Sequence, residues 1–98
     1  MKGYYTVKLV GGDLPNAERI ALETRYVHAL ESALGGHDRV LDLCLTAAAA
    51  AGNGAMHAQL APELQNACDR AEADAWETRN KVAGARFSLS AWSATDLP

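Results

Sequence analysis

Ninety-eight residues hold one domain at most, and a net charge of −3 with the nine Lys and Arg scattered gives no basic footprint for nucleic acid. Residues classed as hydrophobic make up 49% of the chain, but twenty of them are alanine. Apolar burial contributes roughly 25 cal/mol per Å², so a lone domain of this composition is lean in core area, and self-association as a dimer is expected.

Tyr4 to Val10 alternates Tyr5, Val7 and Leu9 against Tyr4, Thr6 and Lys8, a pattern for a half-buried strand over about 4–10. Gly11-Gly12-Asp13 then turns the chain. A helix is predicted over about 14–34, capped by Asp13 or Asn16 with Pro15 in its first turn, and stopped by Gly35-Gly36. It carries two apolar stripes side by side. Ile20, Val27, Leu30 and Leu34 form one; Leu22, Tyr26, Ala29 and Ala33 form the other. Together they span more than one layer of contacts requires.

The next element is ambiguous. Leu41, Leu43 and Leu45 alternate as a strand over 40–45 would. On a helical wheel, Val40, Leu41, Cys44, Leu45, Ala48 and Ala51 gather on one side, and five consecutive alanines favour helix. The reading is a helix over about 38–51, with the strand as its alternative. After the Gly52-Asn53-Gly54 break, Ala55 to Ala61 has no clear pattern. Pro62 opens a long helix, predicted over about 62–83 and ended by Gly84. Its stripe of Leu64, Cys68, Ala71, Ala75, Thr78 and Val82 is mostly small, and the alanine-rich helix before it is the expected partner. Ala85 to Trp92 alternates again and reads as the second strand, over about 85–92. Residues 93–98 read as a loose tail. The fold class is therefore α+β: two terminal strands in one sheet with three helices layered on it.

Few residues suggest chemistry. Glu23 falls inside the wide apolar arc of its helix, where a carboxylate needs a partner, and Arg19 one turn earlier could supply it. Trp76 sits off its own stripe and Trp92 points away from the Phe87/Leu89 face; each needs cover from the chain or from a partner. The candidate ligand or interface residues are Arg19, Leu22, Glu23, Tyr26, Ala29, Ala33, Trp76 and Trp92. His28, His37 and His57 are read as structural or solvated, and Cys44 and Cys68 as free thiols in a reducing compartment. No catalytic set, cofactor loop or metal-ligand spacing is present in the sequence. Neither a signal peptide nor a run long enough to cross a membrane is read, so a cytoplasmic protein with no membrane partner is expected.

Three function classes follow. The first is a small non-enzymatic interaction or regulatory protein, self-associating and open to a protein partner. The second is a binder of a partly apolar ligand near Glu23, Tyr26 and Trp76. The third is a small enzyme using Glu23 or a histidine as acid–base group. An enclosed pocket with Glu23 at its base would favour the second, and a histidine joined to it the third.

Overall fold

The computed structural model describes residues 3–51 and 60–94. The chain runs β1 (Gly3–Val10), α1 (Asn16–Leu34), α2 (His37–Ala51), α3 (Pro62–Trp76) and β2 (Arg86–Ser93). The two strands, first and last of these elements, pair antiparallel in one sheet, from Gly3 opposite Ser93 to Val10 opposite Arg86. This is the expected α+β architecture. The alternation sets Tyr5, Val7 and Leu9 on one face with their partners Ala91, Leu89 and Phe87. That face meets the helices: Leu9 and Ala91 are buried, and Phe87 and Leu89 pack against the same core.

The Gly11-Gly12 turn closes one end of the sheet. Both glycines hold positive φ, 74° and 73°, and a Cβ on Gly11 would stand 2.2 Å from the Gly84 carbonyl oxygen. Only glycine allows that approach. Helix α1 begins one residue after Pro15, without a side-chain cap from Asp13 or Asn16. At its far end Gly35 takes the left-handed conformation, and the N–H groups of Gly35 and Gly36 both donate to the Glu31 carbonyl.

Residues 40–45 are helical, and the strand alternative fails. In α2, Val40, Leu41, Cys44 and Ala48 are buried at helical spacing, while Leu43 and Leu45 reach the core only in part. Every third or fourth residue faces inward, and the alternation of the leucines is coincidental.

Two expectations about α3 are corrected. The helix ends at Trp76, one and a half to two turns before Val82. Its last turn holds Asp74 and no basic residue, so the macrodipole there is unfavoured. The Thr78 hydroxyl then donates to the Ala75 carbonyl at 3.1 Å, and tight turns replace the helical ladder. Gly84, with φ 81°, belongs to the turn into β2. The second correction concerns packing. Leu64, Ala67, Ala71 and Ala75 are buried chiefly against α1, with only a marginal approach to α2. The small residues let the axes come close, and the Leu22/Tyr26 stripe of α1 receives them. The apolar arc of α1 is wide because it serves two layers: sheet and α2 on one flank, α3 on the other. Arg25 ties the second flank, its Nε 2.7 Å from Asp74 Oδ1. The loose-tail reading begins one residue too early, since Ser93 is in β2; residues 95–98 lie outside those described.

Candidate functional site

Arg19 and Glu23 do not pair with one another; both grip the backbone of β1. Glu23 Oε2 accepts the Leu9 N–H at 2.8 Å. Arg19 Nη1 donates to the Leu9 carbonyl at 2.7 Å and the Gly11 carbonyl at 2.9 Å, and Nη2 donates to the Gly12 carbonyl at 3.2 Å. One turn of α1 thus supplies the donor and the acceptor that a neighbouring strand would offer. These bonds also fix the phase of the sheet. Both backbone groups of Leu9 turn away from β2, so Leu9 and Phe87 form a non-hydrogen-bonded pair. By alternation, the N–H and C=O groups of Phe87, Leu89 and Ala91 point outward from the other edge.

That second edge carries no such clamp. Among the described residues, no backbone or side-chain group outside the sheet bonds to Phe87, Leu89 or Ala91. Beside it runs a groove of about 280 Å³. Arg86, Phe87, Ser88, Leu89 and Ser90 form one wall; Gln65, Cys68, Asp69 and Glu72 of α3 form the other; Tyr26 and Leu60 complete the lining. The α3 residues recur at steps of three, one and three, which is a single helix face next to the buried Leu64/Ala67/Ala71/Ala75 stripe. Asp69 is held by Gln65 at 3.0 Å, and Glu72 lies 3.4 Å from Lys81. Arg86 has no ion pair among the described residues.

Aromatic rings build the back of the groove. Tyr26 stacks on Phe87 with centroids 4.3 Å apart, and Trp76 tilts against the same ring at 5.9 Å. Trp76 is therefore covered within the chain, although its buried indole N–H finds no acceptor among the described residues. The Tyr26 hydroxyl lies beside the Cys68 thiol; burial and that neighbour drive its pKa upward. Burial also pushes the Cys44 thiol up to about 12, with nearby Cys68 adding to the shift. Both cysteines are free. Trp92 lies on the opposite sheet face, stacked on Tyr4 at 4.9 Å.

The sequence-derived candidates do not gather at one place. Glu23 borders a shallow depression with Thr24, Val27 and His28, apart from Tyr26 and Trp76. Leu22 and Tyr26 are buried in the chain's own core, Ala29 packs against that core, and Ala33 is exposed. His28 is exposed; His37 is exposed with its ring tilted against Tyr5; His57 lies outside the described residues. No histidine joins Glu23 in an enclosed pocket among them. Gln65, Asp69, Glu72, Arg86, Ser88 and Ser90 escaped sequence reasoning. The signal available was the polar stripe next to the apolar one on α3, together with a strand left without a neighbour.

Two larger hollows lie along the α1–α3 junction. One, about 670 Å³, is lined by Glu18, Arg25, His28 and Arg79 among others, and it is widely open. Its arginines are committed, Arg25 to Asp74 and Arg79 to Glu18. No group of three or more metal-ligating side chains occurs among the described residues, and no described helix is long and apolar enough to cross a membrane. Comparison with protein-family models, curated proteins and solved structures finds no match to this chain.

Proposed function

We propose that the chain is a small non-enzymatic interaction protein that takes up a strand from another polypeptide along the outward edge of β2 at Phe87, Leu89 and Ala91. One observation carries this reading: the protein spends two charged side chains closing the β1 edge at Leu9, while among the described residues the β2 edge at Phe87, Leu89 and Ala91 stays unclamped beside a groove. An open edge invites unwanted pairing and is ordinarily blocked; an edge left open beside a groove is the arrangement by which extended segments are recognised. Tyr26 and Trp76 meet at Phe87, but Glu23 lies apart from them, which weighs against a ligand pocket or acid–base chemistry built on all three.

Selection from an unbiased library of displayed peptides tests it, with counter-selection on Leu89→Pro. The Leu89 N–H faces away from β1, so proline there removes an edge donor without breaking the ladder; circular dichroism checks that the variant stays folded. The expected clones alternate with period two and lose binding to Leu89→Pro. Recovery of no edge-dependent clone, together with no edge-dependent self-association in sedimentation equilibrium, would overturn the reading.

A further inference from the structure

We infer that the β2 groove selects a basic extended segment, one with a Lys or Arg two positions from an apolar side chain, and that this segment belongs to a partner and not to a second copy of the chain. The inference rests on the strand-addition reading above and adds the chemistry of the occupant.

A strand laid against Phe87, Leu89 and Ala91 turns alternate side chains toward α3. Those side chains meet two environments. The floor is apolar, made by Phe87, Leu89, Tyr26, Leu60 and the Cys68 thiol. The α3 rim is acidic, made by Asp69 and Glu72, one turn apart on the exposed shoulder of the helix, while Arg86 belongs to the facing β2 wall, on a strand position whose side chain alternates away from Phe87 and Leu89. A Lys or Arg matches both, its methylene stem lying on the floor and its charged head reaching the rim. Among the described residues Glu72 has only the weak 3.4 Å contact with the exposed Lys81, and Asp69 is bonded only to the neutral Gln65, so both carboxylates have accepting capacity left. The stretch Arg86 to Ser90 accommodates a segment of about five residues, roughly 16 Å when extended.

A second copy fits this edge poorly. Pairing β2 with β2 about a two-fold axis is self-complementary, so each copy contributes the same patch. It would bring Asp69 and Glu72 of both copies to one seam, and like charges there repel. Each copy would also bring its own α3 over the strip of edge that the other copy's α3 already overlooks.

Fluorescence anisotropy of labelled peptides tests the inference. The basic probe is a seven-residue peptide alternating Thr with Val, Lys, Val. Matched probes carry Glu in place of Lys, Gln in place of Lys, or N-methyl groups on alternate amides of the Lys peptide. The Lys peptide is expected to bind, and the N-methylated one to fail if its blocked amides face β2. The Gln and Glu peptides should bind roughly fivefold and tenfold or more weaker, the range two partly exposed ion pairs can supply. In D69K/E72K, whose changes lie on the exposed rim, the order of the Lys and Glu peptides should reverse. Higher salt should narrow the gap between them. If Lys, Gln and Glu peptides bind alike and D69K/E72K changes nothing, the basic specificity is wrong while strand addition survives. If no peptide binds but sedimentation gives a dimer that Leu89→Pro dissociates, the occupant is a second copy and the inference fails. If none binds and the chain stays monomeric at all concentrations, strand addition fails with it.

Discussion

The two edges of this small sheet differ at the end where the Gly11-Gly12 turn leaves β1: among the described residues, Leu9 is clamped there, and its cross-strand partner Phe87 is not. At β1, Arg19 and Glu23 reach from α1 and satisfy Leu9 on both sides of its peptide unit, with further donation to Gly11 and Gly12. At β2, α3 stands off the strand and leaves a groove between. The difference follows from where the helices find their apolar partners. Helix α1 lies against β1 because Leu30 and Leu34 need the core there, so its polar side chains at 19 and 23 come within reach of the strand. Helix α3 is pulled toward α1 instead, by Leu64, Ala67, Ala71 and Ala75. Its next face, Gln65, Cys68, Asp69 and Glu72, is left overlooking β2 at a distance. An edge can thus be closed or kept open by the packing of a helix that never joins the sheet.

The largest effect is expected from breaking the seam that holds α3 away. Ala71 is fully buried, and Ala71→Leu forces extra volume between α3 and α1 at a cost of about 1–3 kcal/mol. For a chain of this size that is about 4–8 °C in Tm for each kcal/mol. Ala49→Leu, on the exposed flank of α2, is the control and should leave Tm nearly unchanged. Equal melting of Ala71→Leu and wild type would mean that the groove wall does not depend on this seam.

The clamp comes next. Glu23→Ala leaves the Leu9 N–H without its acceptor, which costs roughly 1–3 kcal/mol where water cannot replace it. Hydrogen exchange sharpens the test. In wild type the Leu9 amide should exchange more slowly than the outward amide of Leu89, and in Glu23→Ala the order should narrow or invert while Leu89 is unmoved. Rapid wild-type exchange at Leu9 would refute the clamp.

Alkaline pH should act on the buried thiols and the Tyr26 phenol in and behind the β2 groove and spare the clamp. The Cys44 thiol is held at about 12 against its ordinary 9.0, and burial raises the Tyr26 phenol and the Cys68 thiol in the same direction. A raised pKa in an acid means that folding favours the neutral form. The stability is therefore complete below about pH 9 and is lost as pH climbs toward 12, by at most about 1.4 kcal/mol per pH unit for Cys44 alone. The Leu9 clamp contains neither thiol nor phenol. Urea titrations at pH 7, 8.5, 10 and 11 should give level stability from 7 to 8.5 and a decline beyond it that is shallower in Cys44→Ala. A flat profile to pH 11 would remove the buried thiol from the account.

Much of this architecture was legible in the residues. Period-two alternation marked both strands, and helical spacing with an alanine run placed α2 despite the misleading leucines. The wide arc of α1 announced two layers, but a hydrophobic pattern gives a face and not the neighbour that covers it. Hence α3 was assigned to α2 when it packs on α1. The end of α3 was hidden because Thr78 and Asn80 are not strong breakers, and Gly84 was the first visible stop. Glu23 stood out as a carboxylate among apolar residues, yet its partner is the backbone N–H of Leu9, 14 residues earlier in the chain, and no side-chain pattern encodes that. The groove was least legible of all, since it depends on the gap between two elements and not on any residue within them.

The smallest effect should come from an arginine that resembles Arg19 on paper. Arg39 Nη2 lies 2.7 Å and 3.0 Å from the two carboxylate oxygens of Glu63, joining α2 to α3. Both side chains are half exposed. Water and salt compete for each of them, and holding two long side chains in one geometry carries an entropy cost, so the pair contributes about 0–1 kcal/mol. Arg19 has no carboxylate partner among the described residues; it satisfies three backbone carbonyls at the clamped end of β1, one of them on a buried residue. Arg19→Ala is therefore expected to cost more than Arg39→Ala, and raising the salt concentration should shrink only the Arg39 effect. Urea unfolding of both variants at low and high salt makes the comparison. Should Arg39→Ala prove as costly as Arg19→Ala, the stability of α2 against α3 would rest on a surface ion pair, and the distinction drawn between a clamped edge and an ordinary charged surface would have to be abandoned.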